Sequence, residues 1–95
     1  MAKNTTLTCN PGVPTRITDT AQTAARAQAN HNVHLLATTN TTAPVSTEGS
    51  VQLLAHMILT TDTTLASLFP GVGSTLHLWI WPTGEDPVDV SISHA

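Results

Sequence analysis

Charged residues are scarce in this chain of 95 residues. Lys and Arg together number 3, Asp and Glu number 6, and the charged fraction is 9% with a formal net charge of −3. An ordinary soluble domain is about 25% charged. Because so few basic residues cannot displace the counterions of a phosphate backbone, we expect no nucleic-acid partner. The hydrophobic fraction of 40% argues against disorder caused by charge.

Long apolar runs and paired cysteines are also absent. The longest apolar stretch, residues 76–81, includes His77, whereas a membrane-spanning helix needs about 20 apolar residues. The first residues carry no apolar segment typical of a secretory signal. Cys9 is the only cysteine, so no disulfide can form within the chain. We therefore expect a protein made in a cytosol, with no membrane partner.

Threonine, in contrast, is abundant and occupies 18 positions. A domain of this size buries only about 60–65% of its unfolded surface, so neutral polar side chains must cover much of the outside. Charged residues are depleted at the centres of protein–protein contacts. The composition therefore favours a component of a larger assembly over a free monomer.

The sequence predicts one all-β domain, residues 1–95, folded as a small antiparallel β-sandwich of jelly-roll or immunoglobulin-like type. Strand-forming Thr and Val are enriched, and turn residues recur at short intervals. Residues 4–8 and 13–18 are predicted strands around a turn at Asn10-Pro11-Gly12. Residues 1–22 also fit a second interpretation, an extended N-terminal arm that orders on a neighbouring molecule.

Residues 19–30 are ambiguous between helix and strand. Asp19 could cap an alanine-rich helix, but every larger side chain there is polar, so that helix would have no apolar stripe to bury. We prefer a hairpin with strands at 23–29 and 33–39. Its turn would be Asn30-His31-Asn32.

The middle of the chain predicts a long connection at 40–50 and a short helical turn near 63–69, which Pro70-Gly71 ends. Between them, residues 51–60 predict one or two buried strands. Their buried side chains would be Leu53, Leu54, Met57, Ile58 and Leu59.

The last 20 residues alternate with the period of β-strands and predict a second hairpin around a loop at 82–87. The Val and Ile side of 88–92 must face the core because its other side is Asp and Ser. Pairing with that strand turns Trp79 and Trp81 away from the core, where they would bury area against another chain. The alternative is that loops of the same domain cover them. The candidate interface residues are Trp79, Trp81, His77, Leu7 and Val13.

Residues that could carry chemistry form no recognisable site. His31 and His34 are three positions apart, which would place them on opposite faces of a strand, whereas a turn at Asn32 could bring them together. Neither Cys9 nor any Ser lies in a nucleophile motif. A calcium site in the C-terminal loop is possible on composition, but solvated turn acids are the simpler interpretation. The acidic residues of that loop region are Glu85, Asp86 and Asp89. We therefore expect that the protein is not an enzyme and binds no cofactor and no metal ion.

Three segments of the C-terminal part, 65–71 (LASLFPG), 78–81 (LWIW) and 90–95 (VSISHA), resemble small β-sandwich virion proteins of tailed bacteriophages. The resemblance is to head decoration (cement) proteins and covers about residues 33–95. It implies a virion component on the outer surface of the phage head, made in the host bacterial cytoplasm. The implied partners are the major capsid protein and neighbouring copies of the chain, with a homotrimer as one arrangement.

Two alternatives remain beside the decoration protein. One is a tail, fibre-base or vertex component of the same virion. The other is a receptor- or carbohydrate-binding module that stacks sugars on exposed tryptophans.

Overall fold

The chain passes repeatedly between two β-sheets. A computed structural model describes residues 3–94, in which eight strands and one helical turn follow one another. The helical turn, α1 (Leu65–Leu68), lies between β6 and β7. The strands are β1 (Lys3–Cys9), β2 (Thr15–Arg16), β3 (Arg26–Ala29), β4 (Val33–Thr38), β5 (Val51–Leu53), β6 (Ile58–Leu59), β7 (His77–Pro82) and β8 (Val88–His94).

Both sheets have four antiparallel strands. The order β1-β8-β3-β6 defines the β8 sheet, and the order β2-β7-β4-β5 defines the β7 sheet. The pairs are nested: β1 pairs with β8, β2 with β7, β3 with β6 and β4 with β5. A ribbon folded back between β4 and β5 and then rolled up has this order, which defines a jelly roll. The predicted all-β sandwich is confirmed, and of its two predicted forms the jelly roll is found.

The core lies between the sheets and is built from alternate residues of the strands. Val88, Val90 and Ile92 on β8 are at most 2% exposed. Leu78 and Ile80 face them from β7 and are fully buried. The predicted inward face of β8 is confirmed.

Local sequence signals produce the expected turns. The Val13 N–H donates to the Asn10 carbonyl at 3.2 Å, and Gly12 takes a φ of 71° that favours glycine. In α1, the Thr64 hydroxyl caps the helix by accepting the Ser67 N–H at 3.2 Å. Both the Asn10-Pro11-Gly12 turn and the helical turn near 63–69 are therefore confirmed.

The two predicted hairpins are wrong, although their strands form. β3 lies in the β8 sheet and β4 in the β7 sheet, and the same holds for β8 and β7. Each connection therefore crosses from one sheet to the other, and hydrogen bonds to asparagines join the two crossings. The Asn32 carbonyl accepts the Thr83 N–H at 3.3 Å, and Asn30 Oδ1 accepts the Asp89 N–H at 3.1 Å. A strand alternates between inward and outward residues in a hairpin and in a crossing alike, so the pattern could not separate them.

The prediction of buried strands over residues 51–60 is also wrong in part. β5 and β6 are edge strands of 3 and 2 residues. Leu59 is buried and Leu53 is half-buried, but the other three apolar side chains are exposed. Two of these side chains, Leu54 and Met57, lie in the turn between β5 and β6, and Ile58 lies on the outward side of β6, next to the inward Leu59.

Candidate interaction surface

His77, Trp79 and Trp81 lie on the face of the β7 sheet that is directed away from the core. They are 8%, 5% and 5% exposed, and neither tryptophan belongs to the core cluster between the sheets. The prediction that these side chains are exposed is therefore wrong. The alternative interpretation, in which the same domain covers both faces of β7, is what the structure shows.

The connection between β4 and β5, here called the 39–50 loop, lies over part of this face. A β-carbon placed on Gly49 would lie 3.8 Å from Cδ1 of Leu36, the residue opposite Trp79 on β4. Trp81 shares a hollow with Pro44 and Val45 of this loop and with Pro14 before β2. Since the chain itself covers the indoles, sugars cannot stack on them in this conformation.

Polar groups beneath the 39–50 loop tie it to the sheet. The Trp79 Nε1–H donates to the Thr38 hydroxyl at 2.8 Å, and that hydroxyl donates to the Asn40 carbonyl at 2.9 Å. The His34 ring lies 5.3 Å from the Trp81 ring, tilted by 36°. The Trp79 indole is thus linked through Thr38 to the start of the 39–50 loop.

The histidines do not gather into a site. His31 is exposed in the crossing between β3 and β4, whereas His34 lies beside Trp81. His77 Nδ1 is 3.4 Å from the Thr18 hydroxyl, which also accepts the Leu78 N–H at 3.1 Å. Across residues 3–94, no three His, Cys, Asp or Glu side chains come together in a way that could hold a metal ion.

The other chemical candidates are separated as well. Cys9 is fully buried, and burial raises the pKa of its thiol, partly offset by a hydrogen bond with Thr15. A protonated, inaccessible thiol is a poor nucleophile. Glu85 and Asp86 are exposed in the loop before β8, while Asp89 accepts a hydrogen bond from the Thr8 hydroxyl at 2.9 Å.

The two remaining predicted interface residues differ in accessibility. Leu7 lies on β1, is half-buried and packs against the core. Val13 follows the turn after β1 and is 54% exposed. Val13 is therefore the one member of the predicted interface that presents an open apolar side chain.

A different set of apolar side chains is gathered on one short segment. Leu54, Met57 and Ile58 are 53%, 56% and 53% exposed and lie on residues 54–58, here called the apolar turn. The segment connects β5 to β6 and includes Ile58, the first residue of β6, at the edge of the sandwich opposite β1 and β2. Clustered exposed apolar residues of this kind mark contact sites more often than scattered ones do.

The backbone of the apolar turn is held firmly by neighbouring strands. The His56 N–H donates to the Ala29 carbonyl at 2.8 Å, and Gln28 Nε2 donates to the His56 carbonyl at 2.9 Å. The Ala55 N–H donates to Asn32 Oδ1 at 2.9 Å. His56 adopts a φ of 64°, in the left-handed region, and these bonds hold it there. A fixed backbone lowers the entropy that binding would cost.

The outward face of the β8 sheet adjoins the apolar turn and is covered by small polar side chains. The register places Thr6, Ser91, Gln28 and Ile58 in one row across four strands. The next row contains Arg26, which donates to Ser91 Oγ at 3.3 Å. This face is nearly neutral, and its apolar border is the apolar turn.

Comparisons with known proteins give no relative. No protein-family model matches the chain, and no curated protein or solved structure matches it. Among the helices of residues 3–94, none has the length and apolar character needed to cross a membrane.

Proposed function

We propose that this chain is a bacteriophage virion structural protein that decorates the outside of the head. In this role it stabilises the shell by bridging neighbouring subunits of the major capsid protein. The observation that carries the proposal is the apolar turn, three exposed apolar side chains on a fixed backbone. The choice of the capsid as partner rests on the resemblance to decoration proteins described for residues 65–71, 78–81 and 90–95.

The contact would depend on apolar burial. Covering the exposed parts of Leu54, Met57 and Ile58 would stabilise the contact by about 1 kcal/mol for each side chain. The adjacent face of the β8 sheet offers Ser and Thr hydroxyls and few charges that would have to lose water. Such a contact is weak by itself. On a closed lattice, a molecule that is already bound to one capsid subunit meets the second subunit at a high effective concentration, and this strengthens its overall binding.

The jelly roll is compatible with this role. Viral capsid and lectin domains both use the fold, and a fold by itself does not assign a function. The covered tryptophans favour the virion role over the sugar-binding alternative, because that alternative requires exposed rings. The proposed role needs no catalysis, cofactor or metal.

The first test is the copy number of the chain in purified virions, measured by quantitative mass spectrometry against the major capsid protein. We expect a simple ratio to the capsid protein, as a decoration protein requires. A few copies per particle would place the chain in the tail or at a vertex instead. Absence from the particle would refute the virion proposal.

The second test locates the contact. Met57→Asp puts a charge on the apolar turn, and we expect occupancy on purified heads to fall about tenfold or more. Val45→Asp is the matched control, because Val45 is fully exposed and lies on the 39–50 loop. We expect its occupancy to match that of the unmodified chain. Equal losses in both variants, or no loss in Met57→Asp, would contradict the assigned surface.

Salt provides a third check on the same contact. Because the contact is apolar, head binding should change little between about 50 and 200 mM salt. A steep loss over this range would indicate ion pairs with the capsid and would contradict apolar burial as the main source of affinity.

A further inference from the structure

Strand β1 differs from the other edge strands of the sandwich. Of the four edge strands within residues 3–94, β2, β5 and β6 have 2, 3 and 2 residues, whereas β1 has 7. Proteins protect sheet edges from pairing by keeping the edge strands short or by placing Pro or Lys there. Shortness protects three of these edges, and Pro14 stands directly before β2. β1 is long and has no proline.

The free side of β1 is open over residues 4–8, whereas Cys9 at the end of the strand is fully buried. β1 pairs with β8 along its whole length, from Lys3 opposite His94 to Cys9 opposite Val88. Within residues 3–94, no further backbone–backbone hydrogen bond involves β1. The small side chains Asn4 and Thr6 are exposed, so they would not obstruct another strand.

The only charge on β1 does not guard this edge. Lys3 lies at the end of the strand, and its ammonium group is 2.9 Å from Asp19 Oδ1 of the same chain. Its side chain is only 19% exposed. The usual protective effect of an edge lysine, a free charge that repels an incoming strand, is therefore weakened here.

We propose that β1 pairs antiparallel with β1 of a second copy, across a two-fold axis at Thr6. Thr6 is the middle residue of the accessible stretch 4–8, so this register alone pairs all five of these residues in both strands. The two β8 sheets then form one continuous sheet of eight strands, since each contributes four. A two-fold contact of this kind uses the same surface on both copies and closes at two.

The sequence of β1 is complementary to itself in this register. Thr6 faces Thr6 of the other copy, and Asn4 faces Thr8, so small polar side chains meet on the outward face. This register keeps the two Lys3 side chains at opposite ends of the paired stretch. Leu7, which is half-buried, faces Thr5 and becomes further covered. Cross-strand Thr pairs and apolar contacts stabilise antiparallel sheets, whereas directly opposed like charges destabilise them.

The dimer leaves the proposed capsid contact free, because β1 and the apolar turn occupy opposite edges of the β8 sheet. Two apolar turns would lie roughly 34 Å apart, the width of seven strand spacings. Where the proposed function holds, one dimer can therefore engage two capsid subunits at once. The pairing itself does not rest on that function, and it is an alternative to the homotrimer.

The test uses the purified full chain and sedimentation equilibrium. We expect the unmodified chain to sediment at twice its mass of 10.0 kDa. Thr6→Lys and Thr6→Glu should each halve that mass, because each places like charges opposite one another. An equal mixture of the two variants should restore the dimer, because opposite charges then meet across the axis. Thr61→Lys, an exposed position beyond β6, is the control and should remain dimeric.

Three results would overturn the pairing. They are a monomeric unmodified chain at up to about 1 mM, a dimer that survives Thr6→Lys, and a mixture of the two variants that stays monomeric. A misfolded variant could not be rescued by mixing, so the mixture separates a folding defect from lost pairing. None of these results bears on the Met57 experiment, which measures head occupancy.

Discussion

The two sheets of the sandwich differ in what covers their outward faces. The β8 sheet presents small polar residues such as Ser91 and Ser93 directly to the outside. The β7 sheet presents Trp79 and Trp81, and the chain covers them with its own 39–50 loop. The sandwich therefore has a third layer on one side only. Large aromatic side chains on an outward face do not by themselves mark a binding surface, because a loop of the same chain can bury them.

The largest expected effect comes from removing a covered side chain. Trp79→Ala should lower the free energy of unfolding by about 3–5 kcal/mol, because it leaves a cavity under the 39–50 loop and ends the bond to Thr38. Ser93→Ala, on the outward face of the β8 sheet, should change it by less than about 0.5 kcal/mol. Urea unfolding followed by circular dichroism measures both. Similar values for the two variants would mean that the outward faces do not differ.

A smaller effect should follow from removing the partner of the Trp79 N–H. Thr38→Val keeps the side-chain shape but removes the hydroxyl that accepts this N–H and donates to the Asn40 carbonyl. We expect a loss of about 2 kcal/mol in the free energy of unfolding. Thr39→Val is the matched control, since Thr39 is exposed. An equal change in both variants would show that the hydroxyl does not hold the loop.

The conformation of the 39–50 loop can be tested at a glycine. Gly49 has a φ of 79°, so Gly49→Ala should cost about 1 kcal/mol and loosen the cover over the tryptophans. Acrylamide should then quench tryptophan fluorescence more strongly than in the unmodified chain. Gly84→Ala is the control, because no atom lies within 4 Å of a β-carbon there. Unchanged quenching in Gly49→Ala would argue against the loop as the cover.

The smallest expected effect concerns the ion pair at the end of β1. The Lys3 ammonium group, by its hydrogen bond, lowers the pKa of the Asp19 carboxyl. The folded state therefore gains stability from this pair above about pH 4 and loses it as the pH falls through the lowered pKa. The Tm of the Asp19→Asn variant should therefore fall less between about pH 6 and pH 2 than the Tm of the unmodified chain. The difference should be small because the carboxyl is exposed. Asp62→Asn, in an exposed loop, is the control and should leave that fall unchanged.

Much of the fold could be predicted because several segments allow only one interpretation. On β8, Val and Ile alternate with Asp and Ser, so only one face can be buried. β7 has no such polar face, and all its residues are buried. Which sheet each strand joins could not be predicted, because the connections at 30–32 and 83–87 are short enough for a hairpin and long enough for a crossing.

The candidate surface was harder to predict for a physical reason. Residues 51–60 are rich in apolar side chains, which normally indicates burial. The exposure of Met57 follows from contacts with distant residues: His56 is bonded to Ala29 and Ala55 to Asn32. Nothing in residues 51–60 themselves encodes those partners. His56 in a left-handed conformation gives a much weaker sequence signal than glycine would at the same φ.

The position of β8 has a consequence for how the protein is made. β8 follows every other described strand along the chain, yet it lies inside its sheet, between β1 and β3. Until the ribosome has released Val88–His94, β1 and β3 have no partner between them, and their inward residues Leu7, Ala27 and Ala29 lack cover. The β8 sheet can therefore be completed only after residues 88–94 have been synthesised, in a step governed by pairing of distant segments. Proteins of this topology fold in milliseconds to seconds, and during that interval the new chain is a substrate for chaperones.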